Sequence, residues 1–271
     1  MKALIKIGGT LLDDPASRNG IARQVADVAA SGVSIVVVHG GGKQMTRYLE
    51  ARGIQSRFID GLRVTTEETI DALLKVLAGS VNTQLVGALG AAGVKAVGLT
   101  GIDASLATAV PWDTELGFVG RVVASEPAVL DALSHGRMVP VVACVAGGKN
   151  GEVYNVNGDS MAVAMAASWG ADRLVFLTDV AGVLDANKSI VPVLTVEACH
   201  KLIDAGVATG GMQAKLNAAT EAVEGGVKEV CIVKGSEPSI VERVFAGDGT
   251  GTRIVGPQHN PLLPFVTAVM S

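Results

Sequence analysis

Met1-Lys2-Ala3-Leu4-Ile5-Lys6-Ile7-Gly8-Gly9 opens the chain, and its reading decides the rest. Leu4 to Ile7 reads as a buried strand of a parallel sheet. Lys6 interrupts the apolar run, and an ammonium is costly to bury unless something anionic meets it. Gly8 and Gly9 remove side chains where the chain must turn and let another molecule approach the backbone. The stretch therefore predicts a strand whose C-terminal end points Lys6 at a phosphate.

The same design recurs downstream. Ser34 to Val38 is a β-branched run ending in His39-Gly40-Gly41-Gly42, with a helical stretch from Lys43 to Arg52 behind it. Strand, glycine cluster and helix expose backbone N–H groups to an anion. The spacing is neither G-x-x-x-x-G-K-[ST] nor G-x-G-x-x-G, so both the P-loop and the dinucleotide fingerprint are absent. His39 reads as a packed or capping residue. Arg63, in Gly61-Leu62-Arg63-Val64-Thr65, is a surface charge or a fork for a carboxylate; taken alone, the surface reading prevails. Asn155, Asn157 and Asp159 alternate and would share a face if extended. Asp159 considered alone reads as the N-cap of a helix from Ser160 to Trp169, flanked by two turn asparagines. Lys215 falls in the first turn of a helix from Gln213 to Glu224, where a cation is electrostatically misplaced.

Composition bounds the function. The chain has 271 residues, 49% hydrophobic and 18% charged, which is an ordered globular makeup. Aromatics are only 3%, unlike a base-stacking platform, and the net charge of −4 gives no reason to expect nucleic acid. Cys144, Cys199 and Cys231 lack metal spacing and read as small core residues. Lys6 and the glycines interrupt any signal-peptide core, and no uninterrupted apolar run approaches the ~18 residues of a membrane span. A cytoplasmic protein without a membrane or nucleic-acid partner is expected.

Strands alternate with helices. Helices are expected over 17–31, 67–91 (broken near Gly79), 127–135 and 195–205, and strands over 96–101, 139–143, 173–178, 227–234 and 252–255. Residues 106–123 read as a β-hairpin excursion. The alternation predicts a mainly parallel sheet covered on both faces, with ligands at the strands' C-terminal ends. Gly8-Gly9, Gly40 to Gly42 and Asp179 are then predicted to share one edge. A second lobe begins near Gly170. Residues 257–271, with three prolines and an apolar end, form a tail of unknown role.

K-I-G-G at residues 6–9, V-V-V-H-G-G-G at 36–42, G-L-R-V-T at 61–65, N-V-N-G-D at 155–159, L-T-D-V-A-G-V-L at 177–184 and G-G-M-Q-A-K at 210–215 occur in this order. Together they resemble the amino acid kinase family over about residues 2–256, and G-L-R-V-T with N-V-N points to its acetylglutamate branch. The resemblance implies a three-layer αβα sandwich. Residues 1–170 would form an N-terminal lobe for acyl amino acid binding and dimerisation, and 171–256 a C-terminal lobe for ATP. The implied reaction moves the γ-phosphoryl group of MgATP to the side-chain carboxylate of N-acetylglutamate, within arginine biosynthesis.

By the same resemblance Lys6 and Lys215 stabilise the transferring group and Asp159 holds them. Gly8, Gly9, Gly41 and Gly42 donate backbone N–H groups, Arg63 clamps the α-carboxylate, and Asn155 and Asn157 contact the substrate. Thr178, Asp179, Val180, Ala181, Gly182, Val183 and Leu184, with Val207, Ala208 and Thr209, line the nucleotide site. Mg²⁺ rides on ATP without direct protein ligands. Two departures stand out: Asp60 replaces a usual Asn, and Gly158 a usual Ala. A charge at Asp60 would disfavour a dianionic acid if it faced the site. Arginine-inhibited relatives carry an extra N-terminal helix that builds hexamers; this chain starts at the first strand, so a homodimer without that feedback is expected. A kinase for another N-acyl glutamate or an aminoadipate derivative, and a noncatalytic nucleotide or amino-acid sensor, are the competing readings.

Overall fold

The computed structural model describes residues 1–256, so the tail expectation lies outside the described residues. The opening stretch forms β1 (Lys2–Ile7), and Asp14 caps α1 (Pro15–Ala30) by accepting from the Ser17 N–H. β2 (Ser34–His39) and α2 (Gly42–Glu50) follow. A ribbon of β3 (Phe58–Ile59) and β4 (Leu62–Arg63) turns through Asp60 and Gly61, whose φ angles are 48° and 78°. Two successive positive φ values are what a two-residue hairpin turn of type I′ requires, and Asp before Gly supplies them as readily as Asn.

One long helix comes next: α3 (Glu67–Leu73), a π-helical stretch Leu74–Val81, and α4 (Asn82–Ala91). The break expected near Gly79 does not occur. The helix widens there and stays continuous, because a π turn absorbs the poor propensity of Gly79-Ser80 without losing backbone hydrogen bonds. The helix is apolar enough, at a mean hydropathy of 1.3, to satisfy the length and composition of a membrane span. Leu73, Val76, Leu77, Val81, Leu85 and Leu89 are nevertheless packed in the core.

β5 (Ala96–Thr100), β6 (Thr108–Pro111), β7 (Val119–Ala124), α5 (Ala128–His135), β8 (Val139–Ala143), β9 (Val145–Gly147) and β10 (Val153–Val156) complete the first part. Then come α6 (Gly158–Trp169), β11 (Arg173–Thr178), β12 (Val193–Thr195), α7 (Val196–Asp204), α8 (Gly210–Glu224), β13 (Glu229–Lys234), α9 (Ile240–Ala246) and β14 (Thr252–Val255). The expected hairpin is present as β6 and β7, and β9 and β10 close it into a small barrel.

The main sheet runs β12-β14-β13-β11-β1-β2-β8-β5, parallel except where β13 meets β14. It is the mainly parallel α/β sandwich expected. The chain runs outward from β1 through β2 and later outward from β11 the other way. The crevice beside β1 is therefore a topological switch point, where open α/β sheets bind ligands. Period-two alternation assigns the faces. Ile5 and Ile7 join the core with α1 and α9, while Leu4 joins the one with α6 and α8. Lys6 is on the Leu4 face, so its side chain emerges toward α6 and α8.

Candidate active site

Lys6 Nζ lies 2.8 Å from Asp159 Oδ1, and Lys215 Nζ lies 3.0 Å from Asp159 Oδ2. β1, α6 and α8 each contribute one member of the trio. All three side chains are largely buried, at 13%, 15% and 21% exposure for Lys6, Asp159 and Lys215. Burial by itself pushes the Asp159 carboxyl up; the two ammonium groups outweigh it and hold the group below the usual carboxylate range. The site thus carries a net positive charge with both cations fixed on one anion.

Two local expectations change. Asp159 is not the cap of α6: Asn157 is, its Oδ1 accepting from the N–H groups of Asp159 and Ser160 at 2.8 and 3.2 Å. This frees the Asp159 carboxylate for the lysines, and β10 ends before Asn157, so the three polar residues do not form one extended face. Lys215 is in the second turn of α8 rather than the first, since that helix begins at Gly210. Gly158 makes room for Lys6, because a Cβ there would stand 3.2 Å from both Lys6 Cε and Cys144 Sγ.

The glycine turns meet at the ends of β1 and β2. Ile7 is in register with His39 on one side and Leu177 on the other, which brings Gly8-Gly9, Gly40 to Gly42 and Thr178-Asp179 to one edge, as the alternation predicts. A Cβ on Gly9 would lie 3.0 Å from Gly41 Cα and Gly42 N, so the two turns touch through bare backbone. Gly42 opens α2, and its N–H has no acceptor within the helix. Gly8 differs from the expectation: its N–H donates to the Leu177 carbonyl at 3.1 Å and is committed to the sheet.

Gly41, Gly42, Arg63, Asn155 and Asn157 line one pocket, whose floor includes Gly158 against Lys6. Arg63 is not a surface charge: it is 9% exposed, donates to Gly42 O at 3.0 Å and Thr46 Oγ1 at 2.7 Å, and also to Ser56 Oγ. Its guanidinium lies over the Phe58 ring, 4.6 Å from the centroid. Burial pulls its pKa down from the usual value and Glu50 pushes it up. Asn155 Nδ2 donates to Thr65 Oγ1 at 3.0 Å, which turns its carbonyl oxygen to the other side; Asn157, with its oxygen committed to the cap, has its NH₂ left over. Asp60 does not line this pocket. It lines the neighbouring crevice with Asp159 and Ser160.

Beyond β11, Thr178 Oγ1 donates to Asp179 Oδ1 at 2.9 Å, which lowers the Asp179 pKa, with smaller help from its own N–H, Lys215 and Lys43. Gly182 and Val183 are buried against Thr252, whose hydroxyl accepts from the Val183 N–H at 2.8 Å. Val180 and Leu184 stay exposed, at 38% and 44%, leaving an apolar shelf with Ala181 between them. Across from it, Val207 and Ala208 lead to Thr209, the N-cap position of α8.

Sequence reasoning missed several groups at this edge. Lys43 and Thr46 line an adjoining pocket with the expected Gly9 and Arg63. Thr46, four residues into the helix after Gly42, was detectable as the polar face of α2; Ser56 and Thr65 gave no signal, since loop hydroxyls are common. His39 is fully buried, with its pKa lowered to about 4 by desolvation, and Cys144 is likewise buried, its thiol pushed up to about 12. Neither is an acid, base or nucleophile at neutral pH.

Two lysines fixed on a carboxylate beside bare glycine turns, at the switch point of a parallel αβα sandwich, define a phosphoryl-transfer enzyme. The model of the amino acid kinase family matches residues 1–234, and the chain belongs to that family. Acetylglutamate kinase of Solibacter usitatus is 57% identical over 255 residues, covering 94% of this chain and 99% of the relative. Acetylglutamate kinase of Acidobacterium capsulatum is 48% identical, covering 92% and 98%. Among solved structures, N-acetylglutamate synthase from Neisseria gonorrhoeae complexed with coenzyme A and N-acetyl-glutamate superposes with a TM-score of 0.84 at 25% identity. That match covers 94% of this chain and 59% of the synthase.

Proposed function

We propose that this chain transfers the γ-phosphoryl group of ATP to the side-chain carboxylate of N-acetyl-L-glutamate, giving the acyl phosphate used in arginine biosynthesis. The observation that carries the reading is the Lys6–Asp159–Lys215 trio, which adjoins through Gly158 the pocket holding Arg63, Asn155 and Asn157. Relatives named for this activity, at up to 57% identity over nearly the whole chain, support the choice of acid.

The chemistry follows from the residue types. The attacking carboxylate is ionised at neutral pH, so no general base is needed. One of its oxygens forms a bond to the γ-phosphorus as the bond to the ADP oxygen breaks, and catalysis is positioning and charge stabilisation. Lys6 and Lys215 offset charge on the equatorial oxygens, and the Gly9, Gly41 and Gly42 N–H groups add dipoles. Asp159 keeps the cations from repelling each other before substrates arrive. Arg63 holds the α-carboxylate, while the Asn155 oxygen and Asn157 amide meet the acylamino group. The Thr178–Leu184 loop, with Val207 to Thr209, holds the nucleotide. Asp159 is engaged by both lysines, which fits a Mg²⁺ that would be carried by the ATP phosphates and would offset their charge.

On this reading residues 1–170 bind the acid and form a homodimer, residues 171–256 bind ATP, and the enzyme works in the cytoplasm. The long helix supports the dimer: only 44% of its apolar window is buried within one chain. Asp60 is a turn residue outside the pocket of Arg63 and Asn155, in the crevice it shares with Asn157 and Asp159. An ADP-release assay over a panel of acids tests the proposal. Turnover with N-acetylglutamate supports it; turnover only with another acid makes this a kinase of that acid, and none with any acid makes it a sensor.

A further inference from the structure

We propose that His39 is a positioning residue for phosphoryl transfer: its imidazole, set by Asn82, holds the Gly40 carbonyl and so turns the Gly41 N–H toward the reacting phosphate. What that N–H meets rests on the proposed function; the orientation of the peptide rests on geometry alone.

Three glycines in succession give the chain its greatest conformational freedom. A Cβ at Gly40 or Gly42 would meet nothing within 4 Å, and the bonds from the Gly40 N–H to Ile7 O at 3.4 Å and from Arg63 and Thr46 to Gly42 O at 3.0 Å leave the Gly40 carbonyl to be set by another group. A donor that stabilises a transition state must already be oriented. Something other than the glycines has to fix the turn.

The hydrogen bonds beneath it do so in sequence. Asn82 Nδ2 lies 2.8 Å from the Val141 carbonyl, which only accepts, so the NH₂ side of the amide faces it. The second hydrogen of that NH₂ reaches His39 Nε2 at 3.0 Å, nearer than the Leu99 carbonyl at 3.5 Å, so Nε2 must carry a lone pair. A neutral imidazole has one proton, and the network assigns it to Nδ1, 2.9 Å from Gly40 O. The ring is fully buried and stays neutral, so this tautomer persists at physiological pH. In a trans peptide the C=O and N–H point opposite ways. With the Gly40 carbonyl drawn down to the ring, the Gly41 N–H points away from it, on the side where Gly9 approaches.

The surroundings are fitted to this network. Asn82 Oδ1 lies 2.1 Å from where a Cβ of residue 98 would be, so Gly98 in β5 is what admits the Asn82 amide. The His39 carbonyl accepts from Cys144 Sγ at 3.0 Å, tying the same residue to the strand end beside Gly158.

Two near-isosteric variants separate the halves of the device. In His39→Asn the side-chain NH₂ stands where Nδ1 was and can still donate to Gly40 O. In His39→Gln the amide reaches Asn82 and not Gly40. The kcat of His39→Gln is expected to fall about 10- to 100-fold, with KM for ATP and for the acid changed less than about threefold, and His39→Asn to recover most of kcat. Wild-type kcat in His39→Gln, or equal losses in both, overturns the proposal. Crystal structures of both variants decide it without turnover. The Gly40–Gly41 peptide is expected turned or split in His39→Gln and unchanged in His39→Asn; an unchanged peptide in both overturns the inference. A wild-type chain that phosphorylates no acid would defeat the proposed function while leaving that structural test in force.

Discussion

Asp159 has a lysine on each carboxylate oxygen, and this shapes what substitution does there. Removing Lys6 or Lys215 leaves Asp159 one partner, so the fold is retained, while half of the positive charge facing the phosphoryl group is lost. Lys6→Ala and Lys215→Ala are each expected to lower kcat by about 10²–10³-fold, a range typical of a lost transition-state contact. Steady-state kinetics beside thermal melts check this, and unchanged turnover in either variant removes that lysine from the mechanism. Gly158→Ala is a milder case. Its methyl would stand 3.2 Å from Lys6 Cε and Cys144 Sγ, and Lys6 can yield by a few tenths of an ångström because Cε is near the free end of its side chain. A destabilisation within about 1 kcal/mol is expected, measured by urea denaturation. Adding Cys144→Ala should recover it, and a loss that persists in the double variant would locate the strain elsewhere.

At the scale of elements, β11 and β13 begin in buried charge, Arg173 and Glu229, and β14 adds the partly buried Arg253. Glu229, 1% exposed, receives Arg173 at 2.9 Å and Arg253 at 3.5 Å across the sheet, and Arg173 and Glu229 are register partners. Glu229→Ala would remove from that environment the carboxylate that Arg173 and Arg253 both reach. It is expected to destabilise by about 3–5 kcal/mol, with kcat of the folded fraction unchanged; chemical denaturation and active-site titration read the two quantities separately. The glycine turn carries its own pH signature. His39 titrates near 4 in the fold against 6.5 in the unfolded chain. Between those values the unfolded state binds the extra proton, so stability falls as pH drops through that window, by up to about 1.4 kcal/mol per pH unit. Asp159, also depressed, acts lower: its contribution is complete above the ordinary carboxylate pKa and is lost as pH falls through its folded value. Melting temperatures from pH 7 to 4.5 should therefore drop more steeply in wild type than in His39→Asn. Parallel curves would mean His39 is protonated in the fold.

The whole molecule is one sheet read in two directions from β1 and β11. Because that sheet is continuous, the Thr178–Leu184 loop and the pocket holding Arg63 gather at the same strand ends, and on the proposed function closure over both substrates would bring them together. On the proposed function the apolar helix of residues 67–91, less than half buried, would be covered by a second copy. Light scattering after size exclusion is expected to give a mass near twice the 27.5 kDa of the chain; a mass of one chain would remove that role from the helix.

The short strands β3, β4, β9, β10 and β12 were not legible in the sequence, since they form only against distant partners. The strands of the main sheet other than β12 and most of the helices were legible, because period-two runs and glycine stops act over a few residues. So was the identity of the charged trio, although spacing alone left Asp159 as a cap and Arg63 as a surface charge. Asn157 outcompeted Asp159 for the cap because its carbonyl lies at the right offset from two N–H groups. Arg63 is buried because Gly42, Thr46 and Ser56, distant in sequence, converge on its fork. By itself the sequence determined the longer strands and the bare turns. Only the tertiary structure decided that Lys6, Asp159 and Lys215 touch, that the buried His39 bonds the Gly40 carbonyl, and that Asp60 lies in the crevice beside the pocket of Arg63. Those outcomes depend on strand order and on which face of β1 receives α6 and α8, and both are set by long-range packing that no local pattern encodes.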